Sequence, residues 1–91
     1  MDKQISHLNL SSNRLGYESS GAVRDLLKLN REIKSLDLSC NNLTEQGGND
    51  ILEGLKYNTS IVKLDVRMTG VGKKVDVAVQ NVLRKNNGFK E

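Results

Sequence analysis

Hydrophobic positions along this chain switch rhythm, and the switch recurs. "HLNL", "SLDL" and "KLDV" alternate polar and apolar residues, the two-residue period of a strand with one buried face. Each is followed by a segment with apolar residues at helical spacing: "GAVRDLLKLN", "NDILEGLKYN" and "VDVAVQNVLRKN". Each segment runs into an asparagine, Asn30, Asn58 or Asn86, which reads as a helix-ending residue. Thr44 is the expected cap of the second helix.

The columns stand 28 residues apart: Ile5, Ile33 and Ile61; Leu8, Leu36 and Leu64; Leu10, Leu38 and Val66; Leu15, Leu43 and Val71. The helical half keeps step, with Val23, Ile51 and Val79 and then Leu27, Leu55 and Leu83. The chain divides accordingly into residues 1–4, the end of a preceding unit, then units 5–32, 33–60 and 61–87, and a tail, 88–91. The expected class is α/β, a solenoid of three 28-residue strand–turn–helix units with parallel strands.

Composition narrows the function. A chain of 91 residues is expected to form one domain. With 3% aromatic residues its core must be aliphatic. A net charge of +3 is too small to imply nucleic acid by itself. The single cysteine excludes an internal disulfide framework and fits a reducing compartment. No apolar run reaches the roughly 18 residues of a membrane span, and "MDKQIS" lacks a signal-peptide core. The expectation is a soluble intracellular protein without a membrane role.

"ISHLNLSSNRL", "IKSLDLSCNNL" and "IVKLDVRMTGV" resemble the leucine-rich repeat template, L-x-x-L-x-L-x-x-N/C-x-L. The 28-residue period is similar to that of the ribonuclease-inhibitor-like class. The resemblance implies that Asn13, Asn41 and Thr69 form a structural ladder after the strands. Their side chains would pair with backbone groups of the bend, in their own coil and the next. Cys40, one residue before Asn41, has no histidine beside it in the pattern, so no nucleophile is indicated. It is expected to be a small half-buried filler. Thr69 and "TGVGKK" depart from the pattern, as a capping repeat does. The tail "NGFKE" either folds Phe89 over the end of the core or stays a free terminus. At the other end Asp2 aligns with Asn30 and Asn58, so the chain begins mid-unit. It is expected to be the C-terminal piece of a longer solenoid, or to lean on a partner at Ile5 and Leu8.

Candidate binding residues follow from strand alternation. The concave face should show His7, Ser35 and Lys63; Asn9, Asp37 and Asp65; Ser11, Ser39 and Arg67. Arg67 stands out, because arginine is enriched at binding hot spots. Basic residues concentrate in 61–91, where Lys73, Lys74 and Lys85 join Arg67 as candidates in one basic patch. An acidic protein partner is expected. Nucleic acid is not, since no aromatic residues interleave with the lysines. Phosphate-loop, paired-carboxylate and metal patterns fail: "TGVGKK" breaks the Walker spacing, Asp37 and Asp65 are one solvent-facing column, and His7 has no companions. No enzyme, cofactor or metal is expected.

The third unit, "LDVRMTGVG" followed by a polar helix ending "LRKNN", resembles the closing repeat of the dynein regulatory complex subunit 5 family, the T-complex-associated testis-expressed leucine-rich-repeat proteins. That resemblance implies a structural subunit of the nexin link in cilia and flagella, with other complex subunits or tubulin as partners and the axoneme as its site. Two alternatives stay open. One is a generic cytosolic scaffold or inhibitor. The other is a GTPase-activating leucine-rich-repeat protein of the Ran system, whose longer solenoid and acidic tail have no counterpart in these residues.

Overall fold

The computed structural model describes residues 6–88. Strands and helices alternate: β1 (His7–Asn9), α1 (Tyr17–Leu29), β2 (Ser35–Asp37), α2 (Thr44–Leu55), β3 (Lys63–Asp65) and α3 (Lys73–Asn86). The strands form one parallel sheet in chain order. The register repeats the sequence period: His7 pairs with Ser35 and Ser35 with Lys63, and Asn9, Asp37 and Asp65 align likewise. Parallel strands need a crossover, and α1 and α2 supply the two. Pairing continues past the strands, where the N–H groups of Leu10, Leu38, Ser12 and Cys40 donate to the carbonyls of Asp37, Asp65, Ser39 and Arg67. Three helices on one three-stranded parallel sheet fit an α/β repeat fold. The expectations resting on Asp2, Ile5 and Phe89 lie outside the described residues.

The core lies between sheet and helices. Leu36, Leu38, Leu43, Ile51, Leu55 and Ile61 are all but sealed from solvent. Each such side chain contributes about 1.5–3 kcal/mol of burial. Burial falls off towards β1, where Leu8, Leu10 and Leu15 are only partly covered.

The bend after β2 is held by Asn41, itself buried. Its Oδ1 accepts from the N–H groups of Asn13 and Leu15, both at 2.9 Å. Its Nδ2 donates to the carbonyls of Leu10 at 2.9 Å and Leu38 at 2.8 Å. One amide thus serves its own bend and the preceding one. The expected direction, towards the next coil, is reversed. The reason is that Asn41 points back at backbone groups the earlier bend has left open. Thr69, in the same column, donates its hydroxyl only to Val66 of its own bend. It bonds neither the Asn41 nor the Leu43 N–H, the counterparts of the Asn13 and Leu15 donors. Asn13, exposed, reaches only Ser11 among the described residues.

The helix-ending asparagines form a second column, and their role exceeds termination. Asn58 is buried. It donates to the carbonyls of Leu27 and Asn30 and accepts from the N–H groups of Ser60 and Ile61. Asn86 repeats the bond across units, donating to the Asn58 and Ile61 carbonyls. The helix starts use no side-chain caps. Thr44 is not the cap expected of it. It is the first residue of α2, sits at φ +64°, and gives its N–H to the Thr69 carbonyl.

Ser12, Cys40 and Met68 share one backbone feature: φ of +57°, +59° and +57° in the bend after each strand. That conformation turns the side chain outward. Cys40 is therefore exposed and not a half-buried filler.

Gly54 decides how closely α2 meets α1. A Cβ there would lie 2.5 Å from the Arg24 carbonyl oxygen of α1. Nearby, the Ser20 hydroxyl donates to Asp50 at 2.9 Å and Arg24 lies 3.6 Å from the same carboxylate. Alanine normally stabilises a helix interior by roughly 1 kcal/mol over glycine. At Gly54 the sign should reverse. We expect Gly54→Ala to cost about 2–3 kcal/mol in urea denaturation, through overpacking against backbone. In the same assay Asn41→Ala should cost about 3 kcal/mol, having orphaned groups in two bends. Thr69→Asn should gain about 1 kcal/mol by supplying the missing amide.

Candidate partner-binding face

The outward side chains of the strands form the columns expected of them. Their second column has an internal task. Asn9 Oδ1 accepts from the Ser11 N–H at 2.9 Å and hydroxyl at 2.7 Å. Asp37 Oδ1 accepts from the same groups of Ser39, at 2.9 Å and 2.7 Å. Asp65 Oδ1 accepts from the Arg67 N–H at 3.0 Å. The same side-chain turn occurs three times and fixes where each strand bends. Asn9, Asp37 and Asp65 thus present a pre-organised face, with the Asn9 oxygen, one Asp37 oxygen and both Asp65 oxygens already committed.

Arg67 lies down on Asp65. Its Nε is 3.0 Å from Oδ1 and its Nη2 is 2.8 Å from Oδ2. The side-chain hydrogen bond from Arg67 holds the Asp65 carboxyl below its ordinary range, and the Arg67 backbone N–H adds to it. The same bond raises the Arg67 guanidinium above its own. Arg67 nevertheless stays exposed. The pair forms one wall of an open cleft of about 410 Å³ between β3 and α3, completed by Lys63, Asp76 and Gln80.

Of the basic candidates, Arg67 and Lys73 line one opening beside Asp76, and Lys85 lies away from it. Lys73 and Lys74 open α3, and Lys85 lies in its last turn. At a rise of about 1.5 Å per residue, they are more than about 15 Å apart along the axis. Lys85 and Arg84 lie where the helix dipole favours cations, whereas Lys73 and Lys74 lie where it opposes them. Only Lys63 and Arg67 face the cleft. Among the described residues, no three His, Cys, Asp or Glu side chains converge as a metal site.

Sequence alone left other surface features unmarked. Lys28 Nζ sits 5.1 Å from the Tyr57 ring centroid, on the outer side of the helices. Met68 is 81% exposed, and its sulfur is 4.0 Å from Cys40 Sγ. The equal spacing of Cys40 and Met68 was the available signal for that contact.

A Leucine Rich repeat family model matches residues 5–19 and 29–52, which span β1, β2 and most of α2. These matches support a leucine-rich repeat protein. No curated protein matches the chain.

The depressed Asp65 carboxyl has a pH signature. A carboxyl whose folded pKa is lowered adds stability above the unfolded value, near 3.8, and loses it as pH falls through the folded value. Arg67→Ala removes the largest cause of the lowering, so the stability that the carboxyl adds above the unfolded value, neutral pH included, shrinks. The Asp65 carboxyl carbon, followed by NMR, should then titrate closer to 3.8 than in the parent.

Proposed function

We propose that the chain is a non-enzymatic interaction module, a short leucine-rich-repeat solenoid of three units that binds another protein. The leucine-rich repeat matches support an interaction module in general. The observation that carries the more specific proposal is the strand face: three in-register strands whose turns hold Asn9, Asp37 and Asp65 rigid before any partner arrives. A surface ordered in advance loses little conformational entropy on binding.

The cleft at β3 is the favoured contact. It offers Lys63 and Arg67 beside Asp65 and Asp76, so a partner with paired acidic and polar groups suits it. Lys73 and Lys74 extend the positive field at the start of α3, against the helix dipole. A position that opposes local stability is a natural place for a binding role.

The finer assignment, a structural subunit of the axonemal dynein regulatory complex, is supported by the resemblance of "LDVRMTGVG" and "LRKNN" alone. In that setting the partners are other complex subunits or tubulin. Otherwise a cytosolic scaffold or inhibitor is favoured. Cross-linking mass spectrometry on isolated axonemes decides between them. The axonemal assignment expects cross-links from Lys63, Lys73 or Lys74 to neighbouring axonemal proteins, with fewer from Lys85. Recovery of the protein only from the soluble cytosolic fraction would exclude it.

A further inference from the structure

Two backbone donors pass from each of the first two strands to its neighbour. Leu10 and Ser12 give their N–H groups to the Asp37 and Ser39 carbonyls, and Leu38 and Cys40 give theirs to Asp65 and Arg67. The matching positions after β3 are Val66 and Met68. Among the described residues their N–H groups have no acceptor. The Arg67 N–H between them turns back to Asp65. β3 lies at the edge of the sheet. Such an edge, with donors in line, is a template for an added extended chain.

What α3 sets beside this edge disfavours a packed helix. α2 receives unit three at Gly48, where a Cβ would lie 2.6 Å from Val71 Cβ. The same column on α3 holds Asp76, an exposed residue. The column of Leu52 holds Gln80, which donates to Asp76 at 3.4 Å. A helix seated there as α3 sits on α2 would bury the Asp76 carboxylate, which is costly. An extended segment needs only the strand edge and leaves that carboxylate hydrated.

The charges fix the chemistry of the segment. Lys63 and Arg67 line the cleft four residues apart, and Lys73 joins Arg67 at the adjoining opening. Against them stand Asp76 and Asp65, and both Asp65 oxygens are taken by Arg67. Among the described residues Lys63 and Lys73 have no carboxylate partner.

We propose that the cleft between β3 and α3 takes an extended acidic segment of a partner protein, added as a further strand along β3. This rests on the reading of that cleft as the contact and names the form of its occupant. Val66 and Met68 donate to the segment's carbonyls. Acidic side chains four residues apart on its outer face meet Lys63 and Arg67. The residue midway between them lies opposite Asp65 and is uncharged, since like charges directly opposite destabilise a strand pair.

Two synthetic peptides test this by NMR-detected amide exchange on the 91-residue chain. Acetyl-SEVTVES-amide carries the acidic pair and reads the same in both directions, so it tests parallel and antiparallel addition alike. Its counterpart is N-methylated at every residue between the glutamates, which keeps the charges and blocks strand pairing. We expect the first peptide to slow exchange at Val66 and Met68 by roughly tenfold or more at saturation. The second should leave it unchanged. Lys63→Glu, at an exposed position, should keep the fold and weaken the first peptide by roughly tenfold. If both peptides shift Lys63 and Arg67 alike without slowing exchange, the contact is through side chains alone. That overturns the added strand and leaves the reading of the cleft standing. If neither peptide shifts any β3 signal at millimolar concentration, both are overturned. A chain that sediments as a dimer with Val66 and Met68 already protected gives the edge to a second copy and overturns the proposal.

Discussion

A chain that bends sharply after every strand must bury the polar backbone of the bend, and that burial needs partners. Asn41 supplies them for two bends at once, with both ends of one amide. The rest depends on this. The bends set the distance between strands, the strands set the register, and the register brings each helix over the same patch of sheet. Asn58 solves the matching problem at the opposite end of the helices. The core is clamped on two sides by side chains that are not themselves hydrophobic.

The clamping is uneven, and the unevenness organises the chemistry. The middle unit has a neighbour on each side and holds the most completely buried side chains. Gly54 lets α1 come close, while Val82 occupies the same column on α3. The third unit trades the amide at Thr69 for a hydroxyl and turns charged groups outward. The cleft at β3 belongs to that end, where order in the strand turns and exposure of Lys63 and Arg67 coincide.

Much of this was legible in the sequence because a period of 28 is carried by side-chain identity. Which strand residues point inward and the parallel order follow from columns, and the structural role of Asn41 from the leucine-rich repeat template those columns resemble. What was not legible depends on backbone geometry that residue type does not encode. Ser12, Cys40 and Met68 share a left-handed φ and no chemistry, so the exposure of Cys40 could not be read. The direction of the Asn41 amide depends on which bend has open groups. Asn9, Asp37 and Asp65 looked like free binding groups because a turn made two residues along leaves no periodic trace. Lys85 looked like part of the patch at Arg67 and Lys73 because a helix separates in space what the sequence keeps together.

The graded burial from β1 to α2 also gives the molecule a mechanical polarity. Leu8, Leu10 and Leu15 have covering on one side only, and Asn13 holds nothing behind it. The helix behind β1 is nevertheless held firmly, because α1 packs closely on α2 at Gly54 and through Ser20 and Arg24 on Asp50. Among the described residues the least covered strand and the cleft at β3 lie at opposite edges of one sheet, so loosening of the first leaves the shape of the second untouched.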